Sequence, residues 1–162
     1  MALEHRISEL DTYLFAKGRH YEIYEKMGAH LAEEDGKAGT YFSVWAPNAR
    51  SVSVVGDFNN WDRTAHPMQP VQQSGIWDIF VPGVKAGDLY KFAVETSQGY
   101  TVLKADPYGN QSQLRPDNAS VVADIRYFDW TDQAWRKAHQ EKKTESPMAI
   151  YEVHPGSWKK DP

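Results

Sequence analysis

The stretch with the densest chemistry is Gly56-Asp57-Phe58-Asn59-Asn60-Trp61-Asp62. It sets one indole among two amides and two carboxylates. A flat indole covers the C–H face of a sugar ring while Asn and Asp meet its hydroxyls, so the mixture suits a pyranose. Trp61 and Asn60 are the candidate contacts. Asn and Asp also tolerate turn conformations and bond to their own backbone, which reads as a shaped loop leaving a strand. A second reading stays open, in which Trp61 packs its ring against a neighbouring domain.

Other chemistry finds little footing. The six histidines (His5, His20, His30, His66, His139 and His154) include no pair at metal-ligand spacing. No cysteine is present to act as nucleophile or to build a disulfide framework, which points to a reducing, cytoplasmic compartment. No glycine loop cradles a phosphate, and the acidic run Glu33-Glu34-Asp35 reads as a solvated loop. No catalytic residue, metal or cofactor is expected. The formal charge is −4, from 22 acidic against 18 basic groups, and no basic stretch offers a nucleic-acid footprint. The opening MALEHRISELD is too charged for a signal peptide, and no run reaches membrane-spanning length, so no membrane partner is expected either.

The elements that must hold the loop follow from periodicity. A chain of 162 residues suits one domain with attachments. Leu3, Ile7, Leu10 and Leu14 recur at helical spacing, with Gly18 as the stop. A short helical turn to Met27 follows, and residues 32–39 read as an acidic linker or loop. From there the period changes to two. Tyr41–Trp45, Ser51–Val55 and Ile76–Val81 read as strands. Tyr90, Phe92 and Val94 share one face of another strand, with Lys91 and Glu95 on its opposite face. Gln98-Gly99 is a hairpin turn and Tyr100–Leu103 the return strand, with Val121-Val122 closing the series. Trp45 and Trp77 fall inside strand patterns and are read as core or sheet-packing rings. Strands with turns about every ten residues predict an immunoglobulin-like β-sandwich over residues 39–126, after a helical lead-in at 1–38. Thr131 then caps a charged helix within 127–146, with Trp135, Ala138 and His139 turned inward. Met148–His154 reads as a buried strand of nearly continuous apolar character, at the start of segment 147–162.

The same residues carry a resemblance. Phe42-Ser43-Val44-Trp45-Ala46-Pro47-Asn48-Ala49 with Val54-Val55-Gly56-Asp57-Phe58-Asn59-Asn60-Trp61-Asp62 resembles the N-terminal glucan-binding module of glycogen branching enzymes. Similar modules precede isoamylases and occur in the β subunit of AMP-activated protein kinase. Gly28-Ala29-His30, His66-Pro67-Met68, Ser74-Gly75-Ile76-Trp77, Leu89-Tyr90-Lys91, Asp106-Pro107-Tyr108 and Arg115-Pro116 match in the same order. Ile150-Tyr151-Glu152-Val153-His154-Pro155-Gly156-Ser157-Trp158 resembles the first barrel strand of those enzymes, with Pro155 where relatives often carry an apolar residue.

The resemblance implies the N-terminal part of a 1,4-α-glucan branching enzyme of the α-amylase superfamily. Such enzymes move α-1,4-glucan segments to α-1,6 branches on a (β/α)₈ barrel that these residues only begin. It implies glycogen and maltooligosaccharides as ligands, the barrel as partner, and no catalysis by these residues alone. It further implies Trp61 and Lys91 as sugar contacts, Tyr100 near a second aromatic position, and Asn118 as a polar partner. Lys91 could equally be an ordinary exposed strand lysine. Other roles for such a module are glycogen targeting or sensing, service in a debranching or trehalose-forming enzyme, or a protein-binding sandwich without a sugar site.

Overall fold

The computed structural model describes residues 6–126, 129–140, 147 and 149–158, in two units, Met1–Tyr127 and Phe128–Pro162. β-Structure starts earlier than the sequence suggests. β1 (Gly28–Glu34) and β2 (Lys37–Trp45) form an antiparallel hairpin through the stretch expected as a linker. Asp35 and Gly36 take left-handed backbone, φ 51° and 72°, which a two-residue hairpin turn requires. The acidic, glycine-containing run is therefore a tight turn between two strands.

β5 (Ile76–Pro82) pairs with β2, and β4 (Gln69–Val71) with β5, giving a first sheet in the order β1-β2-β5-β4. The second sheet is built on β6 (Leu89–Glu95). On one side lies β3 (Ser51–Gly56); on the other lie β7 (Thr101–Lys104) and β9 (Ser120–Val121), with β8 (Gln111–Ser112) beyond β9. Period-two alternation turns Phe42 and Val44 of the first sheet toward Val52, Val54, Tyr90 and Phe92 of the second, and all six are buried. Phe42 and Tyr90 meet edge to face at 5.0 Å. Burial of each such side chain stabilises by about 1.5–3 kcal/mol. The Tyr90 hydroxyl finds its partner in Asp106 Oδ2 at 2.6 Å. The immunoglobulin-like β-sandwich expected from the strand pattern is the observed architecture.

The outer face of the first sheet is covered by the N-terminal segment, but not through the leucine stripe. α1 (Glu9–Ala16) starts at Ser8, whose Oγ accepts the Asp11 N–H at 3.2 Å while Asp11 Oδ2 accepts the Ser8 N–H at 2.7 Å. This capping box fixes the start of the helix. Ile7 therefore precedes the helix and is buried with Ile23, Met27, Val71 and Ile76. Leu10 is exposed, and Leu3 lies outside the described residues. The helical turn expected before Gly28 is a single 3₁₀ turn, Ile23–Glu25. Trp77 is half-buried, its indole N–H donating to the Ala46 carbonyl at 3.1 Å. Trp45 departs from the sheet-packing reading: it is 51% exposed, with its ring meeting Phe15 edge to face at 5.8 Å.

In the second unit α2 spans Gln133–Gln140, within the helix expected after Thr131, and residues 141–146 lie outside the described ones. Trp135 does not turn inward; it is exposed and stacks on His139 at 3.8 Å. The buried strand expected over Met148–His154 is also corrected. Residues 149–154 carry no strand, and Ile150 and Tyr151 are exposed; Met148 lies outside the described residues. A strand exists only through ladder bonds to a neighbour, and none joins this segment among the described residues. A short helix α3, Pro155–Trp158, comes next.

Candidate functional site

The Trp61 loop begins where β3 runs against β6. A Cβ on Gly56 would stand 2.1 Å from the Leu89 carbonyl oxygen, so only glycine admits this approach. A 3₁₀ turn, Asp57–Asn59, follows. Asn60 and Trp61 then both adopt left-handed backbone, φ 52° and 60°. Asparagine takes this conformation readily, but for tryptophan it costs on the order of 1–3 kcal/mol. The loop offsets that cost with hydrogen bonds. The Trp61 N–H donates to the Gly56 carbonyl at 3.0 Å and the Asp62 N–H to the Asn59 carbonyl at 3.0 Å. Phe58 anchors the turn by stacking on Phe42 of the core at 6.0 Å.

This geometry fixes what Trp61 can offer. Its indole N–H is committed to Asp57 Oδ1 at 3.1 Å, which tethers the polar edge and orients the ring. The half-buried ring is left to act through its face. Asp62 Oδ1 accepts the Thr64 N–H at 2.8 Å and the Thr64 hydroxyl at 2.7 Å. Those bonds hold the Asp62 carboxyl below the usual carboxylate range. Asn60 sits exposed at the tip of the loop.

Lys91 stands on the outer face of the second sheet, opposite Val55 of β3 and one row from the Gly56–Tyr90 pair where the loop departs. Its Nζ donates to Asn118 Oδ1 at 2.5 Å. Asn118 comes from a loop closed by two bonds, Gln113 N–H to the Ala119 carbonyl at 2.9 Å and Ala119 N–H to Gln113 Oε1 at 3.3 Å. The fold thus joins Lys91 to Asn118, and the Trp61 loop leaves β3 one residue after the one paired with Lys91. Tyr100 stands apart from Lys91. Thr101, its neighbour, pairs with Glu95, four residues along β6 from Lys91, which is about 13 Å at the usual strand rise.

Two features escaped the sequence reading. Leu114 is 87% exposed, an apolar side chain on the loop that also carries Asn118. Leu103 shares the Lys91 face through its pairing with Ala93, which itself lies two residues from Lys91. Neither residue type signals a contact by itself; loop closure puts Leu114 on the loop of Asn118, and register puts Leu103 on the Lys91 face. A cleft of about 350 Å³ between Arg6, Tyr24, His30 and Asn110 involves none of these residues. Among the described residues no group of His, Asp and Glu could hold a metal ion, and no helix is long and apolar enough to cross a membrane.

Comparison with known proteins converges on one family. The profile of carbohydrate-binding module 48 (isoamylase N-terminal domain) matches residues 26–109. The chain is 53% identical to the 1,4-alpha-glucan branching enzyme GlgB of Protochlamydia amoebophila, over 94% of its own length and 21% of that protein. It is 52% identical to GlgB of a Synechococcus strain, over 94% of its length and 20% of that protein. The chain therefore spans about a fifth of the length of these relatives. Among solved structures, the maltotriose complex of PulA from Klebsiella pneumoniae is similar at 28% identity and a TM-score of 0.50, over 70% of this chain and 12% of that one.

Proposed function

The chain belongs to the carbohydrate-binding module 48 family (isoamylase N-terminal domain), and from that premise we propose that it binds α-1,4-linked glucan on the Trp61–Lys91 end of its second sheet. The observation that carries this reading is the presentation of Trp61. A tryptophan is held in a costly left-handed backbone, with its indole N–H bonded to Asp57 and its ring half-buried. In this reading the ring stacks on a glucose C–H face, Lys91 and Asn118 meet hydroxyls, and Leu114 borders the apolar side. Asn60 adds a polar contact from the tip. Tyr100 serves only a chain long enough to reach along β6.

The likeness to GlgB and to a PulA structure holding maltotriose supports the ligand class. The larger role we propose is the N-terminal part of a cytoplasmic 1,4-α-glucan branching enzyme. The retaining transfer to α-1,6 branches needs two carboxylates about 5 Å apart, and we assign these to a (β/α)₈ barrel beyond the fifth of such enzymes matched here. This module would then hold glucan for that barrel without catalysing the transfer itself.

One stacked ring and a few hydrogen bonds in competition with water give an expected Kd on the order of 0.1–1 mM for maltoheptaose. Isothermal titration of the chain with maltoheptaose tests it, with cellohexaose as the β-linked control. Trp61→Ala should weaken maltoheptaose binding at least about tenfold, the loss of one stacked ring at an exposed site. Equal affinity for the two sugars, or unchanged binding by the variant, overturns the site.

A further inference from the structure

The Trp61 loop is locked from behind by a residue outside the proposed sugar contacts. Asn59 is buried, at 9% exposure. Its Oδ1 accepts the Gly56 N–H at 2.9 Å. Its Nδ2 lies 3.0 Å from the Val54 carbonyl, 2.8 Å from His66 Nδ1 and 3.5 Å from the Asp62 carbonyl. The two backbone groups fix which way the amide points: oxygen toward the Gly56 donor, nitrogen toward the Val54 acceptor. An amide nitrogen has two hydrogens. One goes to Val54, and His66 Nδ1 takes the other. Nδ1 must therefore accept, which only a neutral imidazole with its hydrogen on Nε2 can do. In an imidazolium both ring nitrogens carry hydrogen, and N–H would face N–H across 2.8 Å.

We infer that Asn59 and neutral His66 form a positioning pair that holds Trp61 in its sugar-facing backbone, so that protonation of His66 loosens the loop and weakens glucan binding. The inference rests on the glucan reading for its effect on affinity, but not for its effect on the loop. The pair connects directly to the strained residues. Asn59 Oδ1 bonds the N–H of Gly56, and the carbonyl of that same residue accepts the Trp61 N–H. His66 is itself held in place, since its carbonyl accepts the Val54 N–H at 3.1 Å and its ring meets the Phe58 ring at 5.7 Å.

The surroundings bear on the direction of the effect. From its own loop, the Asp62 carboxylate faces His66 electrostatically. Asp57, further back, is engaged with the indole N–H. From β3, the neighbours are Ser53, paired with Pro67, and Val54, neither of which titrates. Asp62 is exposed and already committed to Thr64, so it does not supply the acceptor that Asn59 would lose.

The test compares maltoheptaose affinity at pH 7.5 and 5.5, either side of the ordinary imidazole midpoint near 6.5, for the wild-type chain and His66→Asn. Asparagine places an amide oxygen close to where Nδ1 stands and does not titrate. The wild type should bind about three- to tenfold more weakly at pH 5.5, the effect of one buried hydrogen bond. The variant should bind equally at both. A wild-type affinity that ignores pH, or a variant that keeps the wild-type dependence, overturns the inference. NMR on the free chain provides a readout that needs no sugar. The Asn59 side-chain amide and Trp61 indole resonances should shift together with the His66 ring protons. If maltoheptaose does not bind at pH 7.5, the glucan reading falls and these resonances alone decide the pair: movement in step supports it, and fixed signals overturn it.

Discussion

Asp11 shows how a single polar residue can hold an apolar covering in place. It is 6% exposed, and its carboxylate collects the Ser8 N–H at 2.7 Å, the Ser8 hydroxyl at 2.6 Å, the His20 ring at 2.8 Å and the Lys26 ammonium. Burial pushes this carboxyl up, yet the bonds from Lys26, Ser8 and His20 outweigh it and hold the group far below the usual carboxylate range. A carboxyl depressed on folding contributes stability that is present above its unfolded value, near 3.9, and is lost as pH falls toward the folded value. Asp11→Ala should therefore destabilise by about 2–4 kcal/mol at pH 7, since Lys26 loses its buried partner. The gap between variant and wild type should narrow below about pH 4. Urea melts at pH 7 and pH 3 measure both numbers, and a gap of constant size at the two pH values contradicts this account of Asp11.

At the scale of elements, the two outer faces of the sandwich do different work. The first sheet turns Val71 and Ile76 outward to meet Ile7, Ile23 and Met27 of the N-terminal segment. The outer face of the second sheet carries Lys91 and the root of the Trp61 loop. The core between them is a separate cluster centred on Phe42, Tyr90 and Phe92. Met27 is fully buried, so Met27→Ala should cost about 2–4 kcal/mol through lost contacts and the cavity left behind. Because Met27 packs on the opposite side of the sandwich from Lys91, maltoheptaose affinity of the folded variant should match the wild type. Paired thermal melts and titrations separate the two effects. A variant that loses affinity while still folded would mean that the two faces are coupled through the core.

For the molecule as a whole, the division into two units makes its own prediction. Among the described residues every strand, both apolar clusters and all proposed sugar contacts lie before residue 127. A chain ended at Arg126 should therefore melt at the same temperature and bind maltoheptaose equally well. The expected change is in surface chemistry. Trp135, Ile150, Tyr151 and Trp158 are exposed apolar groups of the second unit, and such groups seek a strand or an apolar surface to cover them. The longer chain should self-associate at high concentration and the shorter one should not, as light scattering would show. A truncated chain that unfolds would mean the sandwich depends on the second unit for its stability.

Period-two alternation in Tyr41–Trp45, Ile76–Val81 and Tyr90–Val94 determined the sandwich, because burying one face of each of two sheets leaves few other arrangements. The glycine and Asn-Asn-Trp chemistry of residues 56–62 likewise marked the loop, since few other residues bend a chain there. Matters of partnership were left open by the sequence. Residues 32–39 are polar in either a linker or a hairpin, and only the pairing of Glu34 with Lys37 across Asp35 and Gly36 chose the hairpin. The leucine spacing near the start favoured one helix face, but Ser8 and Asp11 capped the chain in a different phase and buried a carboxylate in its place. Residues 149–154 have the composition of a buried strand and no ladder among the described residues, because composition supplies no hydrogen-bonding neighbour. The register of β6 with β7 set Tyr100 along β6 from Lys91, while loop closure at Gln113 and Ala119 brought Asn118 to Lys91 across 27 residues of chain. Local residue types fix which segments turn, pair or stack; which distant side chains share a surface is decided by register and closure, and those exist only once the chain is folded.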